Sequence, residues 1–229
     1  MEYSENVKFI PWEGSEYQYG VRGFNENGHI IYGTKENPGC KLLVVGDSFY
    51  CANPGKEAVR SIVKSTIADL LDPNSEFEPY KNTYKKFIKS LTGYYDEMTF
   101  EQNTEAWQHI MFYNYVQTPM TMARVSPSQE DYKNAEPSFW EILEKSGADL
   151  VVVWGKRLYN NLPQVGKQAE DLEIKEGEFM GDAIEIWSYN VNGKDIHLMY
   201  VNHPSAAYAL EYWGTFIHQF IQERGNYVQ

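Results

Sequence analysis

Lys41-Leu42-Leu43-Val44-Val45-Gly46-Asp47-Ser48 is the stretch on which the fold turns. Its apolar run is continuous, does not alternate, and stops at a Gly-acid-Ser turn, the pattern of a short strand covered on both faces. Three further runs repeat it: Met111-Phe112-Tyr113 before Asn114, Leu150-Val151-Val152-Val153-Trp154 before Gly155, and His197-Leu198-Met199-Tyr200-Val201 before Asn202-His203-Pro204-Ser205. In an open α/β sheet the carboxyl ends of the strands converge on one crevice. An acid, an amide and an imidazole would therefore meet there.

The segments between these runs read as helices. Lys56–Leu71 carries Val59, Ile62, Val63, Ile67 and Leu70 at helical spacing, and further helices are predicted over about 80–91 and 98–108. His109–Val116 then reads as a strand with Asn114 at its exit. Ser126 or Ser128 can cap a helix holding Phe139, Trp140, Ile142 and Leu143, which Gly147 stops. Residues 183–201 alternate and are split by Asn192-Gly193, a hairpin signal whose return strand delivers Asn202 and His203. Ser205 is placed to cap a final helix with Leu210, Trp213, Phe216, Ile217 and Phe220. Strands alternating with helices predict an α/β fold, a mainly parallel sheet covered on both faces, with antiparallel character at one edge. Residues 1–39 lack a sustained period and read as an irregular arm with one short strand near Gly28–Tyr32, and the 229 residues are expected to form one domain.

Eighteen Tyr, eleven Phe and six Trp suit a heavy core or a pocket that stacks flat rings. The net charge of −12 repels polyanions at long range, so any binding of nucleic acid must rest on a local patch. Lys81, Lys85, Lys86 and Lys89, interleaved with Tyr80, Tyr84 and Phe87, form the one candidate patch, although an amphipathic helix with a solvated lysine face is the plainer account of them. Cys40 and Cys51 are too few for a disulfide scaffold and are expected to be free thiols. No apolar run reaches membrane-spanning length and the first residues do not read as a signal peptide, so a soluble, cytoplasmic protein without a membrane partner is expected. The five scattered His show no metal-ligand spacing, and neither metal nor cofactor is expected.

Asp47 can orient a water or stabilise positive charge developing on a sugar carbon. Asn114 offers an acceptor and a donor on one amide, enough to read a pyrimidine edge beside stacking aromatics. His203, next to a Pro that stiffens the backbone, can hydrogen-bond a base oxygen as a glycosidic bond breaks, and Ser205 would open a helix whose amides favour an anion. Taken singly, each also fits a bland role: a turn cap, a core amide satisfied by backbone, a surface histidine beside a helix cap. Their convergence is what points to a site.

These blocks together resemble the uracil-DNA glycosylase superfamily, whose first motif, Asn-bearing strand, Trp-Gly strand and late His-Pro-Ser loop occur in this order. Here they read Gly46-Asp47-Ser48-Phe49-Tyr50, Phe112-Tyr113-Asn114-Tyr115-Val116, Val151-Val152-Val153-Trp154-Gly155 and His203-Pro204-Ser205. The run Tyr212–Phe220 also looks like the family's aromatic-Gly-aromatic tail, and Phe9-Ile10-Pro11-Trp12-Glu13-Gly14-Ser15 looks most like uncharacterised bacterial branches. The resemblance implies a three-layer α/β/α fold and a pocket for a flipped base. Asp47 and His203 would be catalytic; Gly46, Ser48, Phe49, Tyr50, Asn114, Pro204 and Ser205 would form the binding site, with Phe49 or Tyr50 as its wall. The best-known branch carries its water-activating Asp where this chain has Ser48, whereas Gly-Glu branches place their acid at Asp47. Where that branch wedges a Leu into duplex DNA, this chain has Ala206-Ala207-Tyr208. The implied activity is hydrolysis of an N-glycosidic bond, releasing a base from weakly bound, single-stranded DNA or from a related nucleoside.

Two more readings stand beside it. Gly46-Asp47-Ser48 with a late His-Pro resembles the Gly-Asp-Ser hydrolases, with Ser48 as nucleophile and His203 as base, although Val201-Asn202 stand where that family's Asp precedes its His. A binding protein that kept the pocket and lost catalysis is the third.

Overall fold

The computed structural model describes residues 2–50, 60–122 and 125–225. In chain order they form β1 (Trp12–Glu13), β2 (Val21–Phe24), β3 (Ile30–Tyr32), β4 (Leu42–Gly46), α1 (Ile62–Leu70), α2 (Lys81–Thr92), α3 (Phe100–Gln108), β5 (Ile110–Asn114), α4 (Gln129–Ser146) and β6 (Leu150–Trp154). There follow α5 (Lys156–Asn160), β7 (Lys167–Gln168), β8 (Leu172–Glu173), β9 (Ala183–Ile184), β10 (Trp187–Val191), β11 (Lys194–Val201) and α6 (Leu210–Arg224). Seven strands make one sheet in the order β1-β5-β4-β6-β11-β10-β7. Its centre is parallel, with Leu42 opposite Ile110 and Leu150, and His197 opposite Leu150.

The parity of the pleat divides the core in two. Leu42, Val44, Phe112, Val152, Trp154, Met199 and Val201 face one way and pack with side chains of α1, α2, α3 and α6. Leu43, Val45, Met111, Tyr113, Val151, Val153 and Leu198 face the other way against α4 and α5. Helices thus cover both faces, which is why β4, β5 and β6 are buried at every position and show no alternation.

Local signals set the boundaries. Ser128, not Ser126, caps α4 through a capping box with Asp131, and Thr99 caps α3 in the same way with Gln102. Gly147 ends α4 at φ 60°. Asn192 and Gly193 both take positive φ in the turn that pairs Val191 with Lys194. The predicted helix from Lys56 begins, among the described residues, only at Ile62; residues 56–59 lie outside them.

Antiparallel pairing occurs at both margins of the sheet, not at one. The extra margin comes from the amino-terminal arm, where Trp12 pairs with Phe112 and donates its indole N–H to the Trp107 carbonyl at 2.8 Å. Val7, Phe9 and Tyr17 are buried, so the arm is part of the core. Cys40 is a buried free thiol whose pKa burial pushes up to about 12, and Cys51 lies outside the described residues. No helix among the described residues is long and apolar enough to cross a membrane.

The contact between α2 and α6 holds a second histidine away from the sheet edge. His218 stacks on Phe24 with ring centroids 3.6 Å apart and places Nε2 3.0 Å from the Ser90 carbonyl oxygen. Burial depresses its pKa to about 4, with the neighbouring His29 acting in the same direction. An unfolded chain binds this proton near pH 6.5 and the folded protein resists it. Stability is therefore expected to be fully present above pH 6.5 and to be lost progressively as pH falls toward 4. Urea unfolding at pH 7 and pH 5 should show the loss, and His218→Gln should make it shallower.

Candidate active site

The carboxyl ends of β4, β5, β6 and β11 gather the predicted residues on one edge of the sheet. Asp47 leaves β4 buried, at 5 % exposure. Its Oδ1 accepts the Tyr132 hydroxyl at 3.0 Å, and its Oδ2 is ion-paired with the Arg157 guanidinium, which also donates to Ser126 Oγ. Tyr132 lies in the first turns of α4 and Arg157 is the second residue of α5, so three separate elements meet at this carboxylate. Buried acids persist when paired and hydrogen-bonded in this way. Sequence reading missed both partners, because nothing local to Arg157 or Tyr132 marks them as neighbours of Asp47.

Asn114 sits in register with Gly46 on the adjacent strand and is 4 % exposed. Its Oδ1 lies against the Gly46 Cα, where any Cβ would run into it and would also come within 3.1 Å of Phe112 Cζ. The requirement for glycine here is one of close approach. The Asn114 carbonyl accepts Gln117 Nε2 at 2.8 Å, and Gln117 Oε1 accepts the Phe9 amide at 3.0 Å, which ties the end of β5 to the amino-terminal arm. Phe9 in turn packs on Phe49, with ring centroids 6.4 Å apart. Of the two predicted wall residues, Phe49 is half-buried and Tyr50 is exposed; Ser48 is half-buried. Gly46→Ala is expected to cost stability as well as to displace Asn114, since the methyl meets a buried amide oxygen and the packed ring of Phe112. Denaturant unfolding of the variant should show a loss of about 1–3 kcal/mol, the usual range for overpacking a buried site.

His203 follows β11 and is half-buried beside the buried Pro204. The Ser205 amide donates to His203 Nδ1 at 3.2 Å, and Ser205 Oγ lies 2.8 Å from the same nitrogen. A ring nitrogen that accepts a backbone N–H carries no proton, so the neutral ring bears its hydrogen on Nε2. Ser205 is thus committed to the histidine and does not cap the final helix. That helix begins at Leu210 with Ala209 as a cap lacking any side-chain bond, so the predicted anion site at a Ser205 helix start is absent. The imidazole meets Trp154 edge-on at 5.9 Å. Burial lowers the His203 pKa; Asp47 opposes this and Arg157 adds to it.

All three predicted groups therefore share the sheet edge, but on different sides of it. Asp47 is bonded to side chains from α4 and α5, whereas His203 packs on Trp154 of the opposite face. Comparison with family models finds no match, and comparison with curated proteins finds none either.

The lysines of α2 do not form a free basic patch. Lys81 is paired with Asp69 at 2.9 Å and donates to the Glu76 carbonyl, Lys89 donates to the Tyr95 carbonyl at 3.0 Å, and Phe87 is buried. Of this patch, Lys85 and Lys86 are what remains for a phosphate backbone, too few by themselves for tight binding by a chain of this net charge.

Proposed function

We propose that the protein is a uracil-DNA glycosylase-like hydrolase that breaks an N-glycosidic bond and releases a nucleobase from a single-stranded or nucleotide-sized substrate. The observation that carries this reading is the fixed tautomer of His203, whose Nε2–H is a donor at the sheet edge it shares with Asp47 and Asn114. In this mechanism the bond between the sugar C1′ and the base nitrogen breaks with its electron pair leaving on the base. The growing negative charge on a base oxygen is met by the His203 Nε2–H, a preorganised donor that need not reorient. Asn114 reads the edge of the base and Phe49 walls the pocket. Asp47, with both oxygens already accepting hydrogen bonds, acts as a fixed charge near the sugar and not as a proton acceptor. Water adds through its oxygen to C1′ and gives its proton to solvent.

The same tautomer disfavours the Gly-Asp-Ser hydrolase reading, since an imidazole already protonated at Nε2 and accepting at Nδ1 has no lone pair left for a Ser48 hydroxyl.

Extruding a base from a duplex costs a few kcal/mol, and a chain of net charge −12 gives little long-range attraction to a polyanion to offset it. Release of deaminated bases from oligonucleotides at low salt is therefore expected to be faster from single strands than from duplexes. Faster release from duplex at physiological salt would overturn the substrate preference, and no release from any nucleotide or oligonucleotide would overturn the activity.

A further inference from the structure

The cluster around Asp47 holds a cation that the hydrolysis scheme leaves unused. Arg157 has a side chain 53 % exposed, while the carboxylate it pairs with is 6 % exposed. One terminal nitrogen is bonded to Asp47 and the other to Ser126, so the guanidinium is fixed on both sides, yet much of it stays open to solvent. A guanidinium has five N–H donors in a planar fork, and these two bonds do not exhaust them. Its place is also specific. Gly155, two residues earlier, lies close to His203, whose Cβ is 3.6 Å from where a Cβ on Gly155 would be. Asp47, its partner, directly follows the Gly46 against which Asn114 rests. Arg157 is therefore anchored at the acid, two residues beyond the glycine that lies against His203, and its charge is felt by the imidazole.

We propose that Arg157 is the phosphate-binding residue of this site, and that its ligand is the phosphate monoester of a mononucleotide. Asp47, Tyr132 and Ser126 then serve to position the fork, which matches two phosphate oxygens at once. The inference rests on the glycosidase reading for the base and sugar, and deepens it by naming the anionic part of the substrate. A mononucleotide is favoured over a polymer because one fixed cation suffices for a monoester, while the net charge of −12 and the tied lysines of α2 work against a long polyanion. Phosphate on the fork would also counter the Arg157 charge, leaving Asp47 freer to stabilise positive charge on the sugar.

The test titrates deoxyribose 5-phosphate, deoxyribose, inorganic phosphate and a short single-stranded oligonucleotide against the full chain, read by tryptophan fluorescence and by melting temperature. The sugar phosphate is expected to bind at least about tenfold more tightly than the sugar, as a charge-assisted hydrogen-bond pair predicts. Arg157→Gln should erase that difference, Arg157→Lys should keep part of it, and Ser126→Ala should weaken it while leaving the fold intact. Equal binding of sugar and sugar phosphate by the unaltered protein, or a preference unchanged in Arg157→Lys and Ser126→Ala, would overturn the proposal even if Arg157→Gln does not fold. Tighter binding of the oligonucleotide than of the sugar phosphate would move the contact to a polymer backbone and overturn the mononucleotide assignment. The two readings fail separately. Arg157-dependent phosphate binding without base release sinks the hydrolase and keeps the subsite, whereas base release indifferent to phosphate and to Arg157 does the reverse.

Discussion

Under the proposed hydrolysis, His203→Ala is expected to lower base release by about 10²–10³-fold, the usual loss when one preorganised donor to a developing oxyanion is removed. The effect should fall on kcat, because the hydrogen bond strengthens only as charge accumulates on the departing base. Ser205→Ala should do less, since it deletes the hydroxyl near Nδ1 but keeps the backbone N–H that fixes the tautomer. The acid limb of the pH profile provides a second check. Burial keeps His203 neutral below the ordinary histidine pKa, so activity should persist below pH 6.5 before it falls. Removing the Arg157 cation leaves Asp47 to raise the pKa, and the limb should then shift to higher pH in Arg157→Gln. A His203→Ala protein as active as the parent would end the mechanism proposed for this histidine.

Trp154→Ala is expected to destabilise the protein by about 3–5 kcal/mol, as buried aromatic-to-alanine truncations do. Trp154 is 2 % exposed and joins Phe112, Phe87 and Tyr84, with ring centroids 5.0, 5.2 and 5.4 Å away. It also buttresses His203, so whatever protein folds should lose activity as well. Trp154→Phe separates packing from polarity. The indole Nε1 is buried and has no hydrogen-bond partner among the described residues, so phenylalanine forfeits no bond and should cost distinctly less. Denaturant unfolding of the two variants at pH 7 decides the matter; equal losses would show that the ring cluster is not the source.

The parts of the fold that could be read from sequence were those whose environment is uniform. Leu42–Val45 and Leu150–Trp154 are buried on both faces, and so short an unbroken apolar run, bounded by turn residues, fits a central strand far better than a helix. Asn192-Gly193 and Gly147 were legible because positive φ restricts the choice of residue. Strands of two residues such as Trp12–Glu13 or Leu172–Glu173 have no period to detect, and exist because a neighbouring strand offers them partners. Ser205 misled for a physical reason: its hydroxyl and amide turn back to a ring two residues earlier, and the helix starts later without a side-chain cap. At the site, the strand ends announced Asp47, Asn114 and His203, since each lies at or just beyond the end of a legible strand. Arg157 and Tyr132 were silent because their pairing with Asp47 joins residues 110 and 85 positions apart. Gly46 looked like part of a turn, whereas its role is to leave room for Asn114.

Among the described residues, the sheet stops at each margin in a strand of only two residues, Trp12–Glu13 on one side and Lys167–Gln168 on the other. A stray chain seeking to extend the ladder would find scarcely one pair of backbone groups, flanked by a glutamate or a lysine. Fibrillation by strand accretion is thereby blunted even though the interior is rich in β-forming sequence.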